Sequence, residues 1–246
     1  SYGESSHRRF EWVQDNVEDG NLKARCDPPM GRLALAWLVG VGVSAAPPAE
    51  RGWTKFQYER VEMAVPITIV LYGTDPETAN RAANSAFDRI RQLNAVFSDY
   101  DSQSELRRLV ATAGEGKAIQ VSEDLWRALS RAYELSDQTE GAFDVTLGPI
   151  IRIWRRARRL HELPSPEKVD TARQLVGYRL MRLDREHRAV ELTKRGMRLD
   201  LGGIAKGYAA EEALLILRKS GIDRAAVHAG GDVALGAPPP GRPGWT

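Results

Sequence analysis

The order of apolar, glycine and proline positions predicts an α+β fold, a mixed sheet with helices packed against it. Three observations carry this. Strand-like and helix-like segments succeed one another irregularly, without the regular alternation of a parallel βαβ array. No internal repeat is present. The stretch Asp200-Leu-Gly-Gly-Ile-Ala-Lys-Gly-Tyr-Ala-Ala-Glu211 reads as a strand end, a glycine turn and a helix start.

From the N-terminus, residues 1–29 are polar and irregular and end at Asp27-Pro-Pro29. Met30-Gly-Arg32, the apolar run Leu33 to Val43 and the small residues Ser44-Ala45-Ala46 have the layout of a signal peptide. The apolar run is shorter than the roughly 20 residues a membrane span needs. Translation is therefore expected to begin at Met30, with 1–29 an extension, 30–46 removed on export, 47–55 a linker and 56–246 the folded domain. An internal core strand or helix is the alternative for the apolar run.

Tyr58 to Ala64 and Ile67 to Tyr72 are rich in β-formers and are split by Pro66, which predicts a bent or edge strand pair. Gly73 to Glu77 is a turn and helix start, with Thr74 or Asp75 as cap and Pro76 early in the helix. Ala82, Ala83, Ala86, Phe87, Ile90, Leu93 and Val96 then recur at helical spacing. Asp99 to Ser104 is a polar loop and Leu106 to Val110 a short helical turn. Ile119 to Val121 is a short strand, and Ser122 caps a helix over Glu123 to Thr139. Gly141 to Pro149 is a loop, and a basic amphipathic helix runs from Ile150 to Leu160. Pro164 and Pro166 break it, and Glu167 to Leu175 is helical. Leu180 to Leu183 and Ala189 to Leu192 form a hairpin around Asp184 to His187. Met197 and Leu199 alternate with Arg198 and Asp200 as in a short strand. Tyr208 to Leu217 is a helix ended by Gly221. Residues 222–228 form a strand that gives way to Ala229-Gly230-Gly231-Asp232. Gly236 to Thr246 is rich in turn residues.

Bulk properties narrow the classes. The chain has 246 residues, enough for one large domain or two small ones, and is 42% hydrophobic and 28% charged, ordinary for a globular protein. Its 35 basic and 33 acidic residues leave a net charge of +2, which does not point to nucleic acid. The single cysteine, Cys26, excludes an intrachain disulfide and a cysteine-based zinc site, and the four histidines show no paired metal spacing.

Several residue groups could carry chemistry. Gly202, Gly203 and Gly207 let the backbone approach a ligand closely, and a helix N-terminus favours anions, with Lys206 adding a point charge. The spacing matches neither the dinucleotide fingerprint nor the P-loop, and a tight strand-to-helix turn is the plain alternative. Phe143 offers a stacking face and Asp144 an acceptor; a core anchor and a turn cap are the alternatives. Tyr100 presents ring and hydroxyl from a polar loop. His228 precedes two glycines at a strand end, and an imidazole is a suitable base at neutral pH; a structural histidine is the alternative. Asp232 is a turn residue or a partner that orients His228. Arg152-Ile-Trp-Arg-Arg-Ala-Arg-Arg159 is the one dense basic patch. It is a solvated helix face, a nucleic-acid or anionic-membrane face, or a device that steers an anionic ligand.

Taken in order, Met63, Ser98-Asp-Tyr100 with Ser104-Glu-Leu106, Gly141-Ala-Phe-Asp-Val-Thr-Leu-Gly-Pro149, Asp200 to Glu211 and His228-Ala-Gly-Gly-Asp232 resemble the FAD:protein FMN transferases, the ApbE-type flavin transferases. The resemblance runs from about Phe56 to the C-terminus. It implies an ApbE-like flavin transferase fold and a magnesium-dependent transfer of FMN from FAD to a Thr or Ser of a target flavoprotein, with release of AMP. It implies that Met63, Tyr100, Ala142, Phe143, Asp144, Asp200 and Lys206 contact FAD, that Ala142, Phe143 and Asp144 hold its adenine part, and that the Gly203 carbonyl is a magnesium ligand. The family's Met-Gly-Thr is here Met63-Ala64-Val65. Two further metal ligands of the family, an Asp and a Thr, belong to a C-terminal portion beyond the matched region, so the chain is expected to be incomplete at its C-terminus. A catalytically incomplete FAD-binding or carrier protein is therefore the competing expectation. The implied location is the periplasm or the outer face of the cytoplasmic membrane, with inner-membrane association through the target. A lipid anchor is not expected, since no cysteine comes after the apolar run.

Overall fold

The structure is a computed structural model that describes residues 52–246 and the backbone of a two-residue strand, β1 (Arg25–Cys26). The expected leader at 30–46, the rest of 1–29 and most of 47–55 lie outside the described residues.

Two antiparallel sheets organise the chain. The larger has the order β1-β2-β3-β7-β8, from β2 (Thr54–Glu62), β3 (Val65–Gly73), β7 (Ala225–Ala229) and β8 (Asp232–Leu235). The smaller has β4 (Ile119–Gln120), β6 (Ala189–Leu192) and β5 (Met181–Asp184), in the order β4-β6-β5. The α+β class is as expected, but every described strand pairing is antiparallel where a mixed sheet was expected. The helices are α1 (Pro76–Phe97), α2 (Glu105–Ala111), α3 (Glu123–Gln138), α4 (Gly148–Leu160), α5 (Pro166–Arg173) and α6 (Ala205–Lys219).

Alternation decides which sheet face is covered. Phe56 and Tyr58 of β2, Ile67, Ile69 and Leu71 of β3, and Ala225, Val227 and Ala229 of β7 are buried on one face. Helices α1 and α6 lie on that face and against each other. Their contact positions are largely alanine (Ala79, Ala82, Ala83 and Ala86; Ala205, Ala209, Ala210 and Ala213), which lets the backbones come close, while Phe87, Ile90, Leu93, Leu214 and Leu217 fill the space against the strands. Each such large side chain contributes about 1.5–3 kcal/mol through burial. The caps explain where the helices start. The Asp75 carboxylate accepts from the amides of Glu77 and Thr78 with Pro76 at the first position, Ser104 accepts from Arg107, and Ser122 from Leu125.

A charged cluster ties three helices together. Arg89 of α1 donates to Asp124 of α3 at 2.5 and 2.9 Å and to Glu212 of α6 at 2.7 and 3.1 Å. The Tyr208 hydroxyl also donates to Asp124 at 2.9 Å, and Arg127 pairs with Glu212 at 3.1 Å. Burial would push the Asp124 carboxyl up, but the bonds from Arg89 and Tyr208 hold it below its ordinary range.

Several expectations are corrected. The β2–β3 pair is not split at Pro66, which lies within β3 opposite Val61; the reversal is a two-residue turn at Met63-Ala64, both at positive φ (51° and 61°). Such turns match the twist of paired strands, although non-glycine residues rarely adopt them. Met197 to Asp200 is no strand. Its alternation is genuine, with Met197 and Leu199 buried, but the segment holds on by single bonds such as the Asp200 amide to the Val145 carbonyl at 2.8 Å. Helix α6 begins at Ala205 instead of Tyr208, because the turn closes on the Leu201 carbonyl. Helix α4 begins at Gly148, after a 3-10 turn at Val145–Leu147, instead of at Ile150. Strand β8 was not expected at all: Gly230-Gly231, at φ 59° and 108°, turns β7 back on itself. Strand β2 also starts at Thr54, inside the stretch read as linker.

Candidate active site

One end of the large sheet gathers the separated motifs. The Met63-Ala64 turn and the Gly230-Gly231 turn lie there side by side: a Cβ on Gly230 would sit 3.0 Å from Val65 and 3.1 Å from Cδ of Lys206. A Cβ on Gly203 would lie 3.1 Å from the Phe143 ring, and one on Gly207 3.8 Å from the Asp232 carboxylate. The glycine turn at 202–203 is therefore walled by Phe143 on one side, while Lys206 reaches towards the β7–β8 turn.

The turn itself is held by local bonds. The Asp200 carboxylate accepts from the Gly202 amide at 2.8 Å, and Lys206 Nζ donates to the Gly202 carbonyl at 3.2 Å. No side chain caps α6, so its leading amides face the site without a side-chain acceptor. Asp200 also meets Arg155 of α4 at 2.7 Å, and the same guanidinium pairs with Asp99 at 2.5 Å. Arg155 further lies over the Tyr100 ring, 4.7 Å from its centroid. Burial pulls the Arg155 pKa down, but Asp99 and then Asp200 outweigh it and raise it. Arg155 thus joins two of the motifs and was not singled out from the sequence. The basic run 152–159 was visible there, but only the fold shows which arginine turns towards the carboxylates.

The Ser98-Asp-Tyr100 and Ser104-Glu-Leu106 stretches are scaffold around one exposed ring. Ser98 Oγ accepts the amide of Asp101 at 3.1 Å, and buried Ser104 caps α2 while donating to the Ser98 carbonyl at 2.5 Å. Glu105 accepts the Ser122 amide at 2.6 Å, which ties the loop to the start of α3. Tyr100 is left 75% exposed.

Asp144 is engaged inside its loop. It accepts from the Thr146 amide at 2.7 Å, the Thr146 hydroxyl at 2.6 Å and the Tyr178 amide at 2.9 Å. Its evident work is to hold the Phe143 loop against the turn at Tyr178–Leu180. Ala142 is exposed and Phe143 half-buried, its amide donating to Thr139 Oγ1 at 3.1 Å. Met63 is half-buried against the core.

His228 is exposed and pairs across the sheet with Thr68 and Val233, on the face turned away from α6. Asp232 pairs with Ala229, one position along, and so points to the opposite face. The expectation of Asp232 as the partner that orients His228 is thereby corrected. His228 stands near the rim, while Lys206 on the other face bonds to the Gly202 carbonyl.

Magnesium fits these residues poorly. Gly203 offers a carbonyl in an exposed turn, but among the described residues no three His, Cys, Asp or Glu side chains converge. A magnesium shell of oxygen ligands is not assembled from these groups.

The model of the ApbE family matches residues 63–246. The chain is 28% identical over 178 residues to the FAD:protein FMN transferase of Klebsiella pneumoniae, covering 72% of this chain and 55% of that protein. It is 29% identical over 189 residues to the protein of the same name from Treponema pallidum, covering 73% and 52%. The chain spans about half the length of these curated relatives. Among solved structures, the ApbE protein of Thermotoga maritima superposes with a TM-score of 0.68 at 26% identity, over 76% of this chain and 60% of that one. The flavinyl transferase ApbE of Pseudomonas stutzeri gives 0.70 at 23% identity, over 80% and 66%, a likeness of fold. With the family model matched over most of the chain and the same fold in these structures, the chain belongs to the ApbE family.

Proposed function

We propose that this chain carries the flavin-nucleotide site of an FAD:protein FMN transferase. The observation that supports it best is the convergence of the Met63, Tyr100, Phe143, Asp200–Lys206 and Gly230 stretches at one end of the sheet. In this reading FAD lies across that end. Phe143 and the exposed Ala142 meet the adenine, with Asp144 fixing their loop, and Tyr100 adds a second ring. The uncapped start of α6 and Lys206 face the diphosphate, where backbone amides and an ammonium stabilise negative charge. Met63 shapes the wall near the sheet rim, and Asp200 holds the glycine turn in register.

In the transfer, a Thr or Ser hydroxyl of the target flavoprotein attacks the phosphorus on the FMN side of FAD. The new P–O bond forms as the bond to the AMP phosphate breaks, AMP leaves with the electron pair, and the hydroxyl proton passes to His228 as base. Magnesium, expected from the resemblance, would neutralise the diphosphate; the described residues supply only the Gly203 carbonyl towards it.

The test is incubation of the full chain with FAD, magnesium and a candidate acceptor protein. The expected result is protein-bound FMN and an equal amount of AMP. FAD binding that is indifferent to magnesium, with no AMP released, would instead support a carrier role, the reading favoured by the incomplete ligand shell.

We further propose export, on the basis of residues 30–46 alone, which places the reaction at the periplasmic face with a membrane-associated target. A mature N-terminus mapped to Ser1 contradicts it.

A further inference from the structure

Beside this site, and separated from it by Arg155, runs a groove of about 930 Å³ between α4, α5 and the 196–199 segment. Its lining is strongly cationic. Arg107, Arg152, Arg156, Arg159, Lys168 and Arg198 all face it, and none of them forms an ion pair with an acid among the described residues. The two acids on its wall are otherwise occupied: Asp99 is paired with Arg155, and Glu167 stands in the first turn of α5, where the helix amides favour it.

Arg198 is the unusual member. It is half-buried, with its backbone pressed against Gly148, where a Cβ would come within 2.7 Å of Arg198 atoms. Burial first, then the neighbouring charges of Arg152 and Arg107, push its pKa down. A partly desolvated guanidinium beside two like charges is costly unless an anion shares it. Gly148, Pro149 and Gly196 leave space on the groove floor near it. Along α4, Arg152, Arg156 and Arg159 recur at i, i+4 and i+7 on one face, so the positive charge extends outward from Arg198.

We propose that this groove binds a phosphoryl anion carrying at least two charges, with Arg198 on the floor and Arg107 and Arg152 flanking it. Guanidinium forks match phosphate oxygens in pairs, and three of them around one group suit a dianion better than a single carboxylate. A ligand that reaches a half-buried floor must be compact, which favours a terminal phosphate or diphosphate over the backbone of a duplex. The source is either a nucleotide phosphate or free pyrophosphate.

The test is calorimetric titration of the full chain with inorganic pyrophosphate and, separately, with AMP. Saturable binding is expected, weakened at least about tenfold by Arg198→Gln and by Arg152→Gln, since each removes a charge-assisted contact. Arg152 is exposed, so its variant keeps the fold even if Arg198→Gln does not. Binding of AMP lost in the same variants assigns a nucleotide; binding of pyrophosphate alone assigns the free anion. The proposal is overturned if neither probe binds, if binding survives Arg152→Gln, if Lys206→Ala abolishes it, which would put the anion in the flavin site, or if only oligonucleotides bind.

Discussion

Replacing Arg89 by leucine removes the cation that joins α1, α3 and α6, and its cost can be worked from the geometry. Four hydrogen bonds to two carboxylates disappear. The partners fare differently. Glu212 keeps Arg127 at 3.1 Å, whereas Asp124 keeps only the Tyr208 hydroxyl and is left with a side chain 20% exposed and no bonded cation. Removing one partner of a buried pair costs about 3–5 kcal/mol, and partial exposure with the surviving bonds brings the expectation to about 2–3 kcal/mol. For a domain of this size that is a fall in Tm of roughly 5–10 °C. The pH dependence has a definite sign. The Asp124 carboxyl is depressed in the folded state, so its contribution is full above the unfolded carboxylate value, about 4, and fades as pH falls through the folded value. Chemical denaturation of wild type and Arg89→Leu should therefore differ by the full amount at pH 7 and by progressively less below about pH 4. A difference under about 0.5 kcal/mol at pH 7, the usual size for surface changes, or one that persists undiminished at acid pH, refutes the reasoning.

Other expectations concern the site. Ala64→Gly relieves a left-handed residue in the β2–β3 turn and should stabilise by about 1 kcal/mol in thermal unfolding, as glycine carries no Cβ penalty there. Asp144→Ala orphans the Thr146 and Tyr178 amides and should cost about 2–4 kcal/mol while also weakening FAD, because the Phe143 loop loses its anchor. Gly148→Ala forces a methyl to within 2.7 Å of Arg198 and should cost about 1–3 kcal/mol by displacing the 196–199 segment. His228→Ala should slow FMN transfer about a hundredfold or more at unchanged FAD affinity, measured by AMP release and flavin titration, because the base acts on the acceptor and not on the bound dinucleotide.

The sequence carried much of the frame. Helix α1 was readable because Asp75 and Pro76 mark its start and its apolar residues keep the helical period, and the 181–192 hairpin because its strands are short, apolar and divided by a polar turn. The misreadings share one cause: local pattern cannot say where a strand finds its partner. Pro66 looked like a break but sits within β3, while the turn fell on Met63 and Ala64, residues with no turn signature. Met197 and Leu199 alternate as in a strand and are buried, yet no neighbouring strand runs beside them among the described residues. Strand β8 was missed because Asp-Val-Ala-Leu is short and leads directly into a segment crowded with proline and glycine. At the site, the motifs were visible one by one. Their meeting was not, since Arg155, which links Asp99 and Asp200 beneath Tyr100, comes from a helix whose basic residues look alike in sequence.

The most direct measurement is FAD binding to the full chain, monitored by flavin fluorescence, for wild type, Lys206→Ala and Gly203→Val. The first variant removes the ammonium at the start of α6, and the second drives side-chain atoms into the Phe143 ring. Saturable binding by wild type, weakened at least about tenfold in both variants, is the predicted result, each loss being that of a charge-assisted contact or a packed wall. No binding by wild type, or equal binding by all three proteins, would contradict a flavin-nucleotide site at this end of the sheet.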